Sequence, residues 1–185
     1  NTTIAFGRLA KALKDEINPI SVAVTGSVGK TTTKQFIYSV LRCKYTTEKS
    51  EKNYNNEIGT PITMLSMKQD CEAAVFEMGM SARGEIRYLT NLVQPDIGII
   101  TNIGTCHIEH LGSREAIRDA KLEIVEGIKK NGILILNGDE PLLAGIEPQN
   151  GLRIFYVASN SEKADFRITN VRQGETKTVF DIIYP

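Results

Sequence analysis

The stretch Ile20-Ser-Val-Ala-Val-Thr-Gly-Ser-Val-Gly-Lys-Thr-Thr32 decides the fold. Its first five residues form a short, β-branched, apolar run of the kind that fills a buried strand. Gly26 and Gly29 then let the chain turn tightly, and a helical stretch carrying Phe36, Ile37, Val40 and Leu41 follows. Strand, glycine turn and helix make one βα unit. Successive N–H groups of such a turn converge on one point. The helix start adds partial positive charge there and Lys30 adds a full one, which suits a triphosphate. The Thr31 hydroxyl, directly after the lysine, is placed to ligate the Mg²⁺ that accompanies it. Val24 stands where the general G-x-x-x-x-G-K-[ST] pattern has its first glycine, so Gly26-Ser27-Val28-Gly29-Lys30-Thr31-Thr32 is a shortened variant. The plain alternative is an ordinary glycine-containing turn with a surface lysine, and the flanking strand and helix favour phosphate.

Outward from this unit the alternation repeats. Upstream, Ile4, Phe6, Leu9, Ala10, Leu13 and Ile17 have helical spacing, with Thr2 and Thr3 as cap candidates and Asn18-Pro19 as the stop. Downstream, strands are predicted at 44–47, 73–76, 96–101 and 133–136. Between and after them come helices at 58–67, through Ile86, Leu89 and Leu92, at 114–128, and a short one at 141–146. Continuous apolar strands between helices indicate a parallel sheet covered on both faces. After Gly151 the texture changes to strands at 153–157, 165–169 and 177–183, with strand-like residues to Pro185 and no helical pattern between them. The expected class is a doubly wound, mostly parallel α/β sheet of P-loop type, with extra, partly antiparallel strands at its C-terminal edge.

A chain of 185 residues is expected to form one domain, spanning 1–185. Its 22 basic and 22 acidic residues cancel, which argues against a nucleic-acid partner, since phosphate neutralisation supplies most of such affinity. With 41% apolar and 24% charged residues, disorder is excluded. Cys43, Cys71 and Cys106 are odd in number and widely spaced, which fits a reducing compartment better than a disulfide scaffold. No apolar run approaches the roughly 20 residues of a membrane span, and no secretory signal is visible at the start. A cytoplasmic protein and a monomer are expected.

Other residues gather at predicted strand ends. Glu77 follows an apolar strand at its carboxyl end, the edge where open α/β sheets bind ligands, and either holds Mg²⁺ directly or through water or is a strand-end carboxylate in solvent. Cys106, His107 and His110 invite a zinc reading, yet a structural zinc site wants four ligands in paired spacings. His107 is more useful as a ligand of a second cation. Lys121 lies beside Ala120 and Ile124 on an amphipathic helix, and residue physics alone favours a snorkelling surface lysine. Asn53-Tyr-Asn-Asn-Glu-Ile-Gly59 either contacts phosphates or caps a helix, and Asn137-Gly-Asp-Glu-Pro141 is either a turn or a base contact.

Six segments in order resemble the central ATP-binding domain of the Mur ligases of bacterial cell-wall synthesis: residues 25–33, 53–61, 76–86, 100–113, 120–124 and 136–141. The resemblance covers about Ile20 to Pro141. The segments at 53–61 and 76–86 point to the family member that joins D-alanyl-D-alanine to UDP-N-acetylmuramoyl-tripeptide. It implies that Gly26, Ser27, Val28, Gly29, Lys30, Thr31 and Thr32 hold the phosphates of ATP, with Thr31 also on Mg²⁺. It further implies that Glu77 is shared between two Mg²⁺ ions, that His107 ligates the second, and that Lys121 carries a carbamate joining that second site. This reverses the bland reading of Lys121. Asn137 would contact adenine, with Asp139 in the same segment, and Asn55 or Asn56 would lie near the triphosphate. Lys30, Glu77, His107 and Lys121 thus form the implied catalytic set. Val28, Cys106, Gly138 and Glu140 depart from common family residues without removing a ligand. Ligases of this family have three domains, so 1–185 is expected to be a middle domain from a longer chain. Alternatives are a tripeptide-forming Mur ligase, a folylpolyglutamate-synthase-like ligase, or a P-loop switch NTPase.

Overall fold

A computed structural model describes residues 1–147 and 151–184. Pro185, expected at the end of the last strand, lies outside them. The elements are α1 (Thr2–Ile17), β1 (Ile20–Thr25), α2 (Lys30–Leu41), β2 (Thr47–Lys49), α3 (Gly59–Leu65), β3 (Ala73–Glu77), α4 (Glu85–Val93) and β4 (Ile97–Ile100). They continue with α5 (Ile108–Leu111), α6 (Arg114–Leu122) running into a 3₁₀ turn (Glu123–Glu126), β5 (Ile133–Asn137), β6 (Arg153–Ala158), β7 (Phe166–Gln173) and β8 (Thr178–Ile183).

One sheet of order β2-β3-β1-β4-β5-β6-β7-β8 carries the fold. All neighbours are parallel except β7 and β8. The chain moves from β1 to one side and returns to β4 on the other, so a crevice opens outside the carboxyl end of β1, where ligands of open α/β sheets bind. Register aims the site residues into it: Val24 pairs with Glu77 and Thr25 with Ile100. β6 and β7 are parallel without a crossover helix, although parallel neighbours ordinarily need a long return. Only Val157–Phe166 and Ala158–Arg167 pair, because β7 starts beside the end of β6 and extends the sheet rather than retracing it.

The two faces are covered unequally. Phe76, Met64, Met78, Leu89, Ile117, Ile124, Leu134 and Leu136 form a large core under α1, α3, α4 and α6. On the other face Val22, Val24 and Val75 meet Ile37, Tyr38 and Leu41 of α2. Ile97, Ile99, Ile133 and Ile135 remain only partly buried, so β4 and β5 alternate instead of being sealed on both sides. Within α2, Phe36 and Val40 are exposed and the one buried residue is Lys34.

Several expected boundaries move. Asn1, not Thr2 or Thr3, caps α1, its side chain accepting the Thr3 N–H at 3.0 Å. The stripe α1 buries is Gly7, Ala10 and Lys14, while Ile4 and Leu9 are exposed. β2 begins three residues late because α2 runs on into turns, with the Cys43 and Tyr45 N–H groups donating to Val40 and Leu41 carbonyls. The helix expected at 141–146 is a run of turns, and that at 114–128 tightens to 3₁₀ after Leu122. No helix among the described residues is long and apolar enough to cross a membrane.

Candidate active site

The turn after β1 is held from below. Gly26 has φ 148°, and a Cβ there would run into Thr101 Oγ1, so only glycine fits. Gly29 has φ 82° and starts α2 without a side-chain cap. The Asn102 side chain accepts the Ser27 N–H at 3.2 Å and the Val28 N–H at 3.0 Å, and Ser27 Oγ accepts the Gly104 N–H at 2.8 Å. Two amides of the turn therefore face protein. The N–H groups of Gly29, Lys30, Thr31 and Thr32 have no partner among the described residues, the first turn bond being Thr33 N–H to Gly29 O. Thr25 Oγ1, one residue before the turn, is buried and likewise unpartnered. Lys30 Nζ folds back onto the Gly26 carbonyl at 2.8 Å.

Beside this turn lies Glu77, 2% exposed at the end of β3. Its Oε2 accepts from Thr31 Oγ1 at 3.0 Å and pairs with Lys34 Nζ at 3.0 Å; its Oε1 accepts from Asn55 Nδ2 at 3.0 Å. The Glu77 N–H donates to buried Ser50 Oγ at 3.2 Å. Burial pushes the carboxyl up, but hydrogen bonds from Asn55, Lys34 and Thr31 outweigh it and hold it below the ordinary value. Asn56 plays a different part, its Oδ1 accepting the Ile58 and Gly59 N–H groups at the start of α3.

A cavity of about 430 Å³ brings Lys30, Asn55, Asn56, Glu85 and His107 together. His107 has φ 67° and begins the short helix α5. Lys121 is 3% exposed, and burial first, then the Lys30 ammonium, pull it down to about 8, with Cys106 acting in the opposite sense. Lys121 is thus buried within reach of the Lys30 charge, not in solvent as a surface lysine would be. A second cavity, about 590 Å³, shares Asn56, Glu57, Gly79 and Glu85 with the first and adds Arg83 and Tyr88. Among the described residues no three His, Cys, Asp or Glu converge on a metal-sized point, Cys106, His107 and His110 included.

At the end of β5, Asn137 Nδ2 donates to the Thr101 carbonyl at 3.0 Å and its Oδ1 accepts the Asp139 N–H at 2.9 Å. The Asp139 carboxylate accepts the N–H groups of Ser159, Asn160 and Ser161, and these bonds, the Ser159 one foremost, hold it below its usual range. Asp139 therefore shapes the loop after β6. Sequence reasoning missed Lys34, Asn102 and Ser50. Lys34 had one signal: it lies three residues after Thr31 on the same helix, hence on the same face.

A family model described as the Mur ligase middle domain matches residues 24–185. The UDP-N-acetylmuramoyl-tripeptide–D-alanyl-D-alanine ligase of Bacillus subtilis (strain 168) is 46% identical over 183 residues, which are 98% of this chain and 39% of that protein. Among solved structures, MurF from Acinetobacter baumannii superposes with a TM-score of 0.92 at 31% identity, covering 100% of this chain and 41% of its own. MurF from Thermotoga maritima, solved in complex with ADP, gives 0.90 at 30% identity, covering 100% and 42%. The chain thus spans about two fifths of the length of these relatives.

Proposed function

The chain belongs to the Mur ligase family, whose middle domain it carries, and on that premise we propose that it is the ATP-binding part of a ligase joining D-alanyl-D-alanine to UDP-N-acetylmuramoyl-tripeptide. The observation that carries the reading is the pairing of four unpartnered amides at the start of α2 with the buried Glu77 carboxylate beside them. The amides suit phosphate oxygens, and the carboxylate with the Thr31 hydroxyl supplies the hard oxygen donors that Mg²⁺ prefers. Mg²⁺ is commonly held by one or two carboxylates together with substrate phosphates, a role that Glu77 can fill.

In this reading Thr31 and Glu77 would hold one Mg²⁺, and Glu77, His107 and carbamylated Lys121 a second. Bound with the nucleotide, the ions would neutralise charge on the phosphoryl oxygens. The neutral amine takes up CO₂, releasing a proton and leaving an anion, and a value lowered to about 8 gives Lys121 more of that form at neutral pH than an ordinary lysine has. That change replaces repulsion between Lys30 and Lys121 with attraction. Lys30 leaves the Gly26 carbonyl to meet phosphate. The terminal phosphoryl group of ATP passes to the peptide carboxylate, giving an acyl phosphate and ADP. The amine of the dipeptide then attacks the acyl carbon and gives up a proton, and phosphate leaves with the C–O bond electrons and can take up that proton. The carboxyl end of the peptide would rest in the 590 Å³ cavity, which shares Asn56, Gly79 and Glu85 with the cavity at Lys30. Residues 1–185 act as the middle domain, with the UDP sugar and the dipeptide held mostly by flanking domains.

Lys30→Ala tests the site. It should abolish ATP·Mg²⁺ binding in a calorimetric titration while leaving the circular dichroism spectrum unchanged; an unaltered titration would overturn the assignment. Amide formation from the two named substrates separates this ligase from a tripeptide-forming or folate-type relative, and from a switch NTPase that forms no amide.

A further inference from the structure

Two of the six motif segments, 76–86 and 120–124, also meet through residues to which the phosphate chemistry above assigns no part. Glu123, from the segment 120–124, is 8% exposed, and both its oxygens accept the Gly84 N–H at 2.9 Å; Oε2 also accepts the Arg87 N–H at 3.2 Å. Gly84 and Arg87 belong to the other segment's end and to the first turn of α4, a helix with no side-chain cap of its own. Glu123 therefore supplies that cap from another element, with a carboxylate set against the positive end of the helix. Gly84 has φ 89° with open space around it, so glycine is needed here for backbone conformation, which aims its amide at Glu123. Two further contacts tighten the joint. Thr90 Oγ1 donates to the Ile124 carbonyl at 2.9 Å, and a Cβ on Gly127 would collide with the Thr90 backbone.

What this joint connects gives it a purpose. Lys121 lies two residues before Glu123, on the last turn of α6. Residues Gly79 and Glu85, on either side of Gly84 along the chain, line both cavities. A shift of α4 against the 3₁₀ turn would move the buried amine relative to the wall on which the acyl substrate rests. We propose that Glu123 is a positioning residue of the ligase: its carboxylate clasps the start of α4 and so sets Lys121 and the 79–85 wall in one fixed geometry. This rests on the function proposed above. A carboxylate suits the task because both oxygens accept, whereas glutamine at 123 would turn an NH₂ toward the Gly84 N–H.

The experiment uses the full-length ligase carrying Glu123→Gln, with Glu123→Ala beside it. Misplacing reacting groups by about 1 Å can cost about 100-fold in rate, so Glu123→Gln should lower kcat about 10- to 100-fold per folded molecule. Its affinity for ADP, which rests on the phosphate turn and not on the metal site assigned to Lys121, should stay within about twofold. Amide exchange at Gly84 and Arg87 should quicken by about tenfold or more. Glu123→Ala is the variant that can fail to fold, and Glu123→Gln, equal in size, then carries the test alone. Wild-type kcat in folded Glu123→Gln, or activity that falls only with the folded fraction, would overturn the proposal, as would unchanged exchange at both amides. Exchange does not depend on the substrates. An inactive wild type would therefore sink the assigned reaction, while the clasp still stands or falls on Gly84 and Arg87.

Discussion

Beneath the phosphate turn, Lys34 lies 3.0 Å from Glu77 and donates to the Lys52 carbonyl at 3.0 Å. Behind the turn, Lys121 is buried as deeply, yet the charged or ionisable groups that act on it are Lys30 and Cys106. One buried ammonium is paired within the fold, and the other has no ion-pair partner among the described residues. Burying a charge is tolerable when it is paired and hydrogen-bonded and costly otherwise. The first arrangement is architecture. The second is a buried charge left without a partner, a cost that the carbamate proposed above would relieve.

The sharpest way to break this contrast is Glu77→Ala, which leaves the Lys34 ammonium buried without its partner. Unfolding in urea should show a loss of about 3–5 kcal/mol, and a loss below about 1 would put Lys34 on the same footing as Lys121. Lys121→Met should move stability the other way. In CO₂-depleted buffer at pH 7 the gain should reach up to about 3 kcal/mol, because the amine falls from 10.5 to about 8 on burial and each unit is worth about 1.4 kcal/mol. Ligase activity should nonetheless be lost. Restoring CO₂ stabilises the wild type alone if the carbamate forms.

The pH dependence is the subtler measure. Below about 8 Lys121 is protonated in both states, so its burial penalty is fully present at neutral pH. Between about 8 and 10.5 the unfolded chain binds more protons than the folded one, and wild-type stability should rise relative to Lys121→Met. Glu77 gives the opposite limb: its folded value lies below 4.5, so its contribution is present above 4.5 and fades as acid takes the pH down through the folded value. Parallel wild-type and Lys121→Met curves on the alkaline side would refute the unpaired reading.

Legibility in the sequence followed the range of the forces involved. β1, β3, β4 and β5 are read to within a residue or so because an apolar run and a glycine turn are local signals. The position of β2 escaped because whether a helix end frays into turns depends on what packs against it. At the site, Glu77 ends β3 and His107 closes the loop between β4 and α5, on the sheet edge where topology alone makes them candidates. Lys34 was hidden because α2 reads as an ordinary helix, and its burial exists only once β3 brings Glu77 alongside. Lys121 was visible through family resemblance alone, since nothing near it in the chain shows that Lys30 will face it. Glu123 was unreadable for the same reason: its partners Gly84 and Arg87 lie far back along the chain.

Asn102 has one more consequence. By holding the Ser27 and Val28 amides from just beyond β4, it fixes the bend of the turn through contacts internal to the protein. An incoming nucleotide then meets a seat whose curvature is already set and has to displace one lysine rather than order a loop. Capture should be quick, and the selectivity of the seat should reside in its shape more than in any rearrangement on arrival.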